Sequence, residues 1–592
     1  MTAFARRWYP LGGASPRRRG RAPTRARGAR TVTPIDPLTG PRLALAGRVV
    51  TMDDAFTVVR KGVVYIERGA IVAVRSATEP VPEGFEAVRR VETGGTLYPG
   101  LIDLHNHLSY NALPLWSPVP RQFEHRGQWP EHPDYRKLIS GPMTVVGKYR
   151  DDEGKPALLA PLVRYVECKC LLGGVTTSQG IMLNSNSGVR RYYRGIVRNV
   201  EQTDDPDLVE AQARIDDVDA RDARSFRAKL NKQPPRCFLL HLSEGVTRPG
   251  DLDSVARRHF LALQVAPHEW ALNERFTGIH ATGLLGPDYD VLAEHGAAIV
   301  WSPLSNLLLY GGTARVEEAR RAGVRIGLGS DWSPSGSKNL LGELKVAWLY
   351  SQAMLGALFT ARDLVAMATR DAAAILRWDN ALGSLEAAKR ADIVVIDGRS
   401  GDPYEALIKA SEASIRLVVV NGVARYGTPA LMSGFGAGGE SLTVGGERRR
   451  LFLEQTSADP VVASLSLSEA TSALSAALAD LPELALQLEK PKPPRAMRAA
   501  LDAREPVVWS LALDEVADTG VDLRPRLPLA GPRDLTGPSP IALAAPAPPL
   551  SAILAPIALD PLTVVDDARF LAQIANQPNV PAPIRSGLTQ LY

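Results

Sequence analysis

His105 and His107 flank Asn106 at the end of an apolar run from Thr96 to Leu104, and His241, Glu244, His280 and Asp331 each stand at or just past the end of another short apolar run. Side chains alternate along a strand, so His105 and His107 are expected on one face with Asn106 turned away, and two imidazoles so placed can share one ion. Neutral imidazole is the commonest metal ligand in proteins, and three histidines with one aspartate suit zinc or iron(II) far better than magnesium or calcium. A lone His-x-His is weak evidence. Here four of the nine histidines and one aspartate fall at strand ends in the order one barrel would need, and the set reads as a single metal site.

These residues also have plain readings. Glu244 alone would pass for a loop carboxylate that accepts a backbone amide, and His280, in Gly278-Ile279-His280-Ala281, for a core histidine. His125, His132, His259, His268 and His295 lack a matching strand end and read as surface or loop residues, with His125 and His132 flanking an unusual loop.

The rest of the chain must hold the set in place. At 592 residues with 45% hydrophobic content, the length predicts about two to four domains with a sizeable core. No run approaches about 18 apolar residues, and no apolar segment backs the N-terminal arginines, so neither a membrane span nor a secretory or twin-arginine signal is expected. Three cysteines, Cys168, Cys170 and Cys237, are too few for a disulfide framework, and a reducing cytoplasm is the expected compartment. Cys168 and Cys170 lie in a helical pattern, where residues two apart do not face each other, and read as buried small hydrophobes. The formal charge of +5 is misleading. Nine arginines fall in the first 30 residues; without them the chain carries −4, a mildly acidic body behind an Arg-rich tail that cannot bury enough apolar surface to fold.

Four regions follow. Residues 1–40 are the disordered tail. Residues 41–95 and 380–430 carry short β-branched runs broken by Gly and charge, including Arg390 to Asp397 and Ile415 to Gly422; they can pair with each other only as a split β-sandwich. Residues 96–379 alternate strand and helix patterns, the signature of an α/β fold, here a (β/α)8 barrel inserted in that sandwich. Seven strands are found: 97–104, 174–179, 195–200, 237–242, 276–281, 297–301 and 325–329. The eighth is sought among Ile181 to Asn186. Helices are clearest over Lys338–Gln352 and Ala361–Arg377. Residues 431–592 form a C-terminal appendage with no chemistry of its own: a strand-like 443–454, helical 468–480 ending near Pro482, a Pro-rich 525–561, and a short helix over 566–574.

The segments Leu101-Ile102-Asp103-Leu104-His105-Asn106-His107, His241-Leu242-Ser243-Glu244, Ser302-Pro303-Leu304-Ser305-Asn306 and Gly329-Ser330-Asp331 resemble the amidohydrolase superfamily, in its branch of heterocycle deaminases and s-triazine chlorohydrolases. The resemblance runs over about residues 41–430. It implies that His105, His107, His241 and Asp331 bind one divalent metal per chain, zinc or iron(II), that Glu244 is the acid–base residue, that Asp331 also accepts a water proton, and that His280 orients the water or polarises the bond under attack. The chemistry is compatible with these roles, because a metal lowers the pKa of bound water to about 7 and strand C-terminal ends are where barrel enzymes place their sites. Binuclear relatives use a carboxylated lysine at a strand end. Lys148, Lys155 and Lys169 do not end a strand, which favours one metal.

Two departures bear on substrate. The stretch 109–155 is long and carries Arg121, Phe123, Arg126, Trp129, Tyr135 and Tyr149 among prolines, as expected of a lid over a pocket for a flat ring, or of a subunit interface. After Asp331, Trp332-Ser333-Pro334-Ser335-Gly336-Ser337 replaces the turn familiar in many deaminases, so no particular purine or triazine carries over.

The expected activity is hydrolysis of a non-peptide carbon–nitrogen bond by metal-bound hydroxide, deaminating an N-heterocycle. Ring opening of a cyclic amide or amidine needs the same groups. The expected partner is a small-molecule substrate, with no nucleic acid or membrane; a homo-oligomer is compatible. The other class of function, a non-catalytic binding protein working through the basic tail and the appendage, leaves six cooperating side chains without a purpose.

Overall fold

A computed structural model describes residues 42–592 except 118, 152, 186–188, 194, 204, 214–221, 437, 456–458, 460, 463, 491–507 and 514–547. The Arg-rich tail and most of the Pro-rich stretch therefore lie outside the described residues.

The β-branched runs at the two ends of the central region meet in one mixed α/β arrangement with a large sheet. Its nine strands run in the order Glu440–Val444, Glu447–Leu451, Val423–Gly427, Ile415–Val420, Ile393–Asp397, Arg90–Pro99, Leu43–Val50, Val58–Glu67 and Ala70–Ser76. The join is the antiparallel pairing of Ile393–Asp397 with Arg90–Pro99, in which Val394 faces Tyr98. The sheet runs on through Leu451, beyond the boundary at 430 drawn from composition.

The expected strand 97–104 is two strands in two sheets. Arg90–Pro99 belongs to the large sheet, and Leu101–Asp103 pairs in parallel with Val175–Ser178. Gly100 makes the transfer where any side chain would collide, since a Cβ there would sit 2.3 Å from the Thr176 hydroxyl.

From Leu101 a parallel ladder passes through Val175–Ser178 to Arg198–Asn199. A second ladder joins Phe238–Leu242, Phe276–His280, Ala298–Trp301 and Arg325–Leu328. Backbone hydrogen bonds connect the two ladders at both edges. On one side Ala211 N donates to Val200 O (2.8 Å), and Gln212 N to Cys237 O (2.7 Å); on the other, Leu104 N donates to Leu328 O (3.2 Å). Between the ladders a single bridge sets Gln212 beside Phe238. The 181–186 run joins neither ladder: Met182–Ser185 forms an antiparallel hairpin with Arg190–Tyr192 and also pairs with Trp509–Leu511.

Inside the ladder Ile102, Leu104, Leu239, Ile279 and Val300 form one apolar cluster, and outside it helices cover the strands. Leu159–Leu172 buries Cys168 and Cys170 as free thiols, as their helical context predicts. Leu340–Met354 is capped by the Asn339 side chain accepting from Gly342 N. The helix expected over 361–377 is two, Ala361–Met367 and Arg370–Ile375, broken at Thr369 with ψ −95°.

The C-terminal region packs onto this framework. Leu467–Ala479 lies along Leu159–Leu172, and Pro482 opens a further helix, Leu481–Glu489, because the first turn of a helix needs no N–H from proline. Asp560 sits between two buried ammonium groups, taking Lys169 Nζ at 2.5 Å and Lys338 Nζ on its other oxygen, while Asp567 accepts from Lys338 at 3.0 Å. Two cations are thus balanced by two carboxylates, and the appendage supplies both. Removing one partner of a buried ion pair leaves an uncompensated charge, at a cost of about 3–5 kcal/mol. Asp560→Ala is therefore expected to lower the chemical denaturation midpoint by that order, and a loss below about 1 kcal/mol would show that the appendage is not an integral part of the fold.

Candidate metal centre

The centre begins with backbone. Asp331, in a left-handed conformation (φ 65°), donates its N–H to His105 O (2.9 Å) and accepts the His107 N–H on its own carbonyl (2.7 Å). The strand proper ends at Asp103, so this bracket holds the two histidines, where a continuing pleat was expected. Their ring centroids lie 4.8 Å apart. Asn106 does turn away, donating to Asp103 (3.0 Å) and Ser330 (2.9 Å). Asp103 also takes the Ser330 amide (3.0 Å) and hydroxyl, tying the first strand to the turn that bears Asp331.

His241 follows Leu239 on the inward face of its strand. His280 does not follow by pleat, because Ile279 already points inward with Leu239. Its φ of 69° breaks the alternation and brings the imidazole to the others, with ring centroids 5.1 Å from His105 and 5.5 Å from His241. Non-glycine residues in this region are sparse, and their strain collects at functional sites.

The donor atoms form three overlapping groups, His105/His107/His241, His105/His280/Asp331 and His241/Glu244/His280, each within 4.8 Å. Burial first, then Arg126 and the neighbouring imidazoles, hold His241 well below its ordinary pKa; burial does the same for His280. Both are neutral, with a lone pair to offer.

One observation tests whether these residues fit a cation. Gln179 Oε1 accepts both the Asn106 N–H (3.1 Å) and His105 Nδ1 (3.1 Å). Nδ1 therefore carries the proton and Nε2 the lone pair. That nitrogen is buried without a hydrogen bond and stands 3.2 Å from Asp331 Oδ1, with His107 Nε2 3.6 Å from the same oxygen. A lone pair facing a carboxylate is repulsive, and a cation relieves it. Ligands at about 2.0–2.1 Å in tetrahedral array lie about 3.3 Å apart, close to these separations.

Glu244 faces the cluster from the far side. Its carboxylate meets side chains: Oε1 accepts the Tyr310 hydroxyl (2.7 Å), itself held by Trp129 Nε1 (2.9 Å), and Oε2 lies 3.7 Å from His280 Nε2 and 3.8 Å from Arg126 Nε. Arg126 and Trp129 belong to the expected covering loop, which crosses at Gly245, where a Cβ would sit 2.4 Å from Glu124 O. Phe123, Trp129 and Tyr135 are buried beneath the loop, and Trp332 packs within 5.8 Å of His107 and 5.7 Å of Trp129. Tyr149 packs, half-buried, against the same apolar cluster, and Arg121 lies over the Phe123 ring at 5.1 Å. His125 and His132 accept local backbone amides, from Gly127 and Asp134.

Gln179, Tyr310, Asp103 and Trp332 were not singled out from sequence. Gln179 ends a strand run as His105 nearly does, and that position was the only available signal.

Residues 266–425 match the Amidohydrolase family. The matched span includes His280, Asn306 and Asp331. A 5-methylthioadenosine/S-adenosylhomocysteine deaminase from Symbiobacterium thermophilum is 38% identical over 20% of this chain and 28% of its own length. One of the same name from Desulforudis audaxviator is 25% identical over 61% of this chain and 88% of its own. A solved triazine hydrolase variant is 24% identical, covering 65% of this chain and 94% of its own, with a TM-score of 0.49. Among the described residues no helix is long and apolar enough to cross a membrane.

Beneath the site lies Glu343, accepting Leu304 N (2.9 Å) and the Ser337 hydroxyl; burial, with Asp103 and Asp331 adding, pushes its carboxyl up to about 8. A raised folded-state pKa means that the native state binds more protons than the unfolded chain between about pH 4.5 and 8, so this contribution to stability is lost as pH rises through that window. Glu343→Gln, which keeps the shape, accepts Leu304 N on its oxygen and can donate its NH2 to the Ser337 hydroxyl oxygen, is expected to flatten the fall in denaturation midpoint between pH 5 and 8. An equally steep fall in the variant would assign it to another group.

Proposed function

We propose that this protein is a mononuclear metal-dependent hydrolase of a non-peptide carbon–nitrogen bond, deaminating an amino-substituted N-heterocycle. The observation that carries the reading is the buried His105 lone pair set against the Asp331 carboxylate among neutral imidazoles, with Glu244 held opposite by Tyr310. The parallel ladders joined at both edges read as a (β/α)8 barrel over 96–379, set in a split β-sandwich of 41–95 and 380–430, with 431–592 folded onto it.

In this reading His105, His107, His241 and Asp331 hold one divalent cation, zinc or iron(II). When bound, such an ion acts as a Lewis acid that makes water a nucleophile near neutral pH. Glu244, one carboxylate oxygen committed to Tyr310 and the other turned toward His280, moves a proton to the ring nitrogen or the departing amine. His280 donates a hydrogen bond toward the reacting centre. The covering loop excludes bulk water, and the Trp129 and Trp332 rings give a flat heterocycle its walls. Water adds to the ring carbon, the carbon–nitrogen bond breaks, and ammonia leaves. Relatives named as deaminases support an exocyclic amine over ring opening as the group removed.

The test is ammonia release from a panel of amino-substituted purine nucleosides and amino-triazines, with cyclic amides as the counter-panel. Glu244→Gln should keep about one metal per chain and lose about 10²- to 10⁴-fold in turnover; His105→Ala should lose the metal. Unchanged turnover in Glu244→Gln would remove it from the mechanism, and ring-opened product without ammonia would favour the cyclic amide reading.

A further inference from the structure

Trp301 ends the strand Ala298–Trp301, and the helix Pro303–Tyr310 follows one residue later. Gly311 closes that helix in a left-handed conformation, and the chain doubles back to set Thr313 over Asn306. Four groups then form a chain of hydrogen bonds: Trp301 Nε1 to Thr313 Oγ1 (2.7 Å), Thr313 Oγ1 to Asn306 Oδ1 (3.1 Å), and Asn306 Nδ2 to His280 Nδ1 (2.9 Å). Trp301, Asn306 and His280 are almost fully buried.

The chain has a direction. An indole N–H can only donate, so Thr313 accepts from Trp301 and spends its one proton on Asn306 Oδ1. The Asn306 amide must then present its NH2 to His280 Nδ1. Turning the amide over would leave the Thr313 hydroxyl proton without a protein acceptor. The opposite side of the ring argues the same way: Nε2 faces Glu244 Oε2 at 3.7 Å and groups with Asp331, and an N–H toward two carboxylates is favourable where a lone pair is not.

We propose that Thr313, acting through Asn306, locks His280 as the tautomer protonated at Nε2. His280 is thereby a hydrogen-bond donor in the site and is excluded from the metal's ligands, which selects His105, His107, His241 and Asp331 from the overlapping donor groups. Thr313 and Asn306 are positioning residues. The inference rests on the proposed function only for the use His280 makes of that proton.

Long-range ¹H–¹⁵N correlation on protein labelled at histidine reads the tautomer directly, without substrate. His280 is assigned by its absence from His280→Gln, and spectra are taken on protein as purified and after chelator treatment. The expected result is an unprotonated Nδ1 and a protonated Nε2, kept in Thr313→Ser, mixed in Thr313→Val, and inverted in Asn306→Asp, whose carboxylate can only accept from Nδ1. Zinc titration of His280→Gln should still give one ion per chain. A protonated Nδ1 in the wild type, or a Thr313→Val spectrum identical to it, overturns the proposal, as does loss of zinc binding in His280→Gln. Thermal melting of each variant shows that it is folded before its spectrum is read. Failure of the ammonia screen would count against the proposed reaction and leave these spectra standing.

Discussion

The Asp331 peptide units hold the two edges of the parallel ladders together at the place where the chemistry must be. Its N–H and C=O are both spent on the backbone of His105 and His107, so the last strand is joined to the first by the residues that would carry the metal. A side chain there is not aimed by its rotamer alone. The left-handed φ at Asp331 and His280 is energetically unfavourable in isolation, and the Asp103–Ser330–Asn106 network below Asp331 supplies the hydrogen bonds that keep its turn in place. The same bonds thus join these strands and shape the site, beside the Leu104 N to Leu328 O bond.

Around that joint the protein places charge in a graded way. His241 and His280 are kept neutral by burial, while Glu244 and Arg126 sit at a separation that is electrostatic without being a tight ion pair. The strongly ionic contacts lie one layer away, where Asp560 and Asp567 face Lys169 and Lys338. Lys169 also donates to Asn111 O and Ser333 Oγ, so the balanced charges steady both the loop after the histidines and the turn after Asp331. The appendage reaches the covering loop as well: Gln577 accepts Val119 N, and Asn579 donates to Arg121 O.

Much of the centre was legible because its signals are local. Strand ends, the His-x-His pair and the Gly329-Ser330-Asp331 turn can each be read within a few residues, and all seven strand runs recur in the ladders, the first only from Leu101 on. What could not be read depends on a partner. Gln212 meets Phe238 as one bridged residue between the ladders, with no periodic run to mark it. Met182–Ser185 has a good strand pattern but is drawn into a hairpin that also meets Trp509, more than 300 residues on. Asp560 stands in proline-rich text, and only the two lysines it meets give it meaning. Periodicity tells what a segment is and says little about whom it joins.

That long reach sets a clock on biosynthesis. Asp560 follows its partner Lys169 by 391 residues, and at about 5–20 residues per second the ribosome delivers it roughly 20–80 s later. Until then the nascent chain carries Lys169, and from its own synthesis Lys338, unneutralised, and the covering loop is without its anchors. A half-made chain therefore cannot settle into the finished site, which leaves a window in which chaperones and proteases, rather than substrate, are its natural companions.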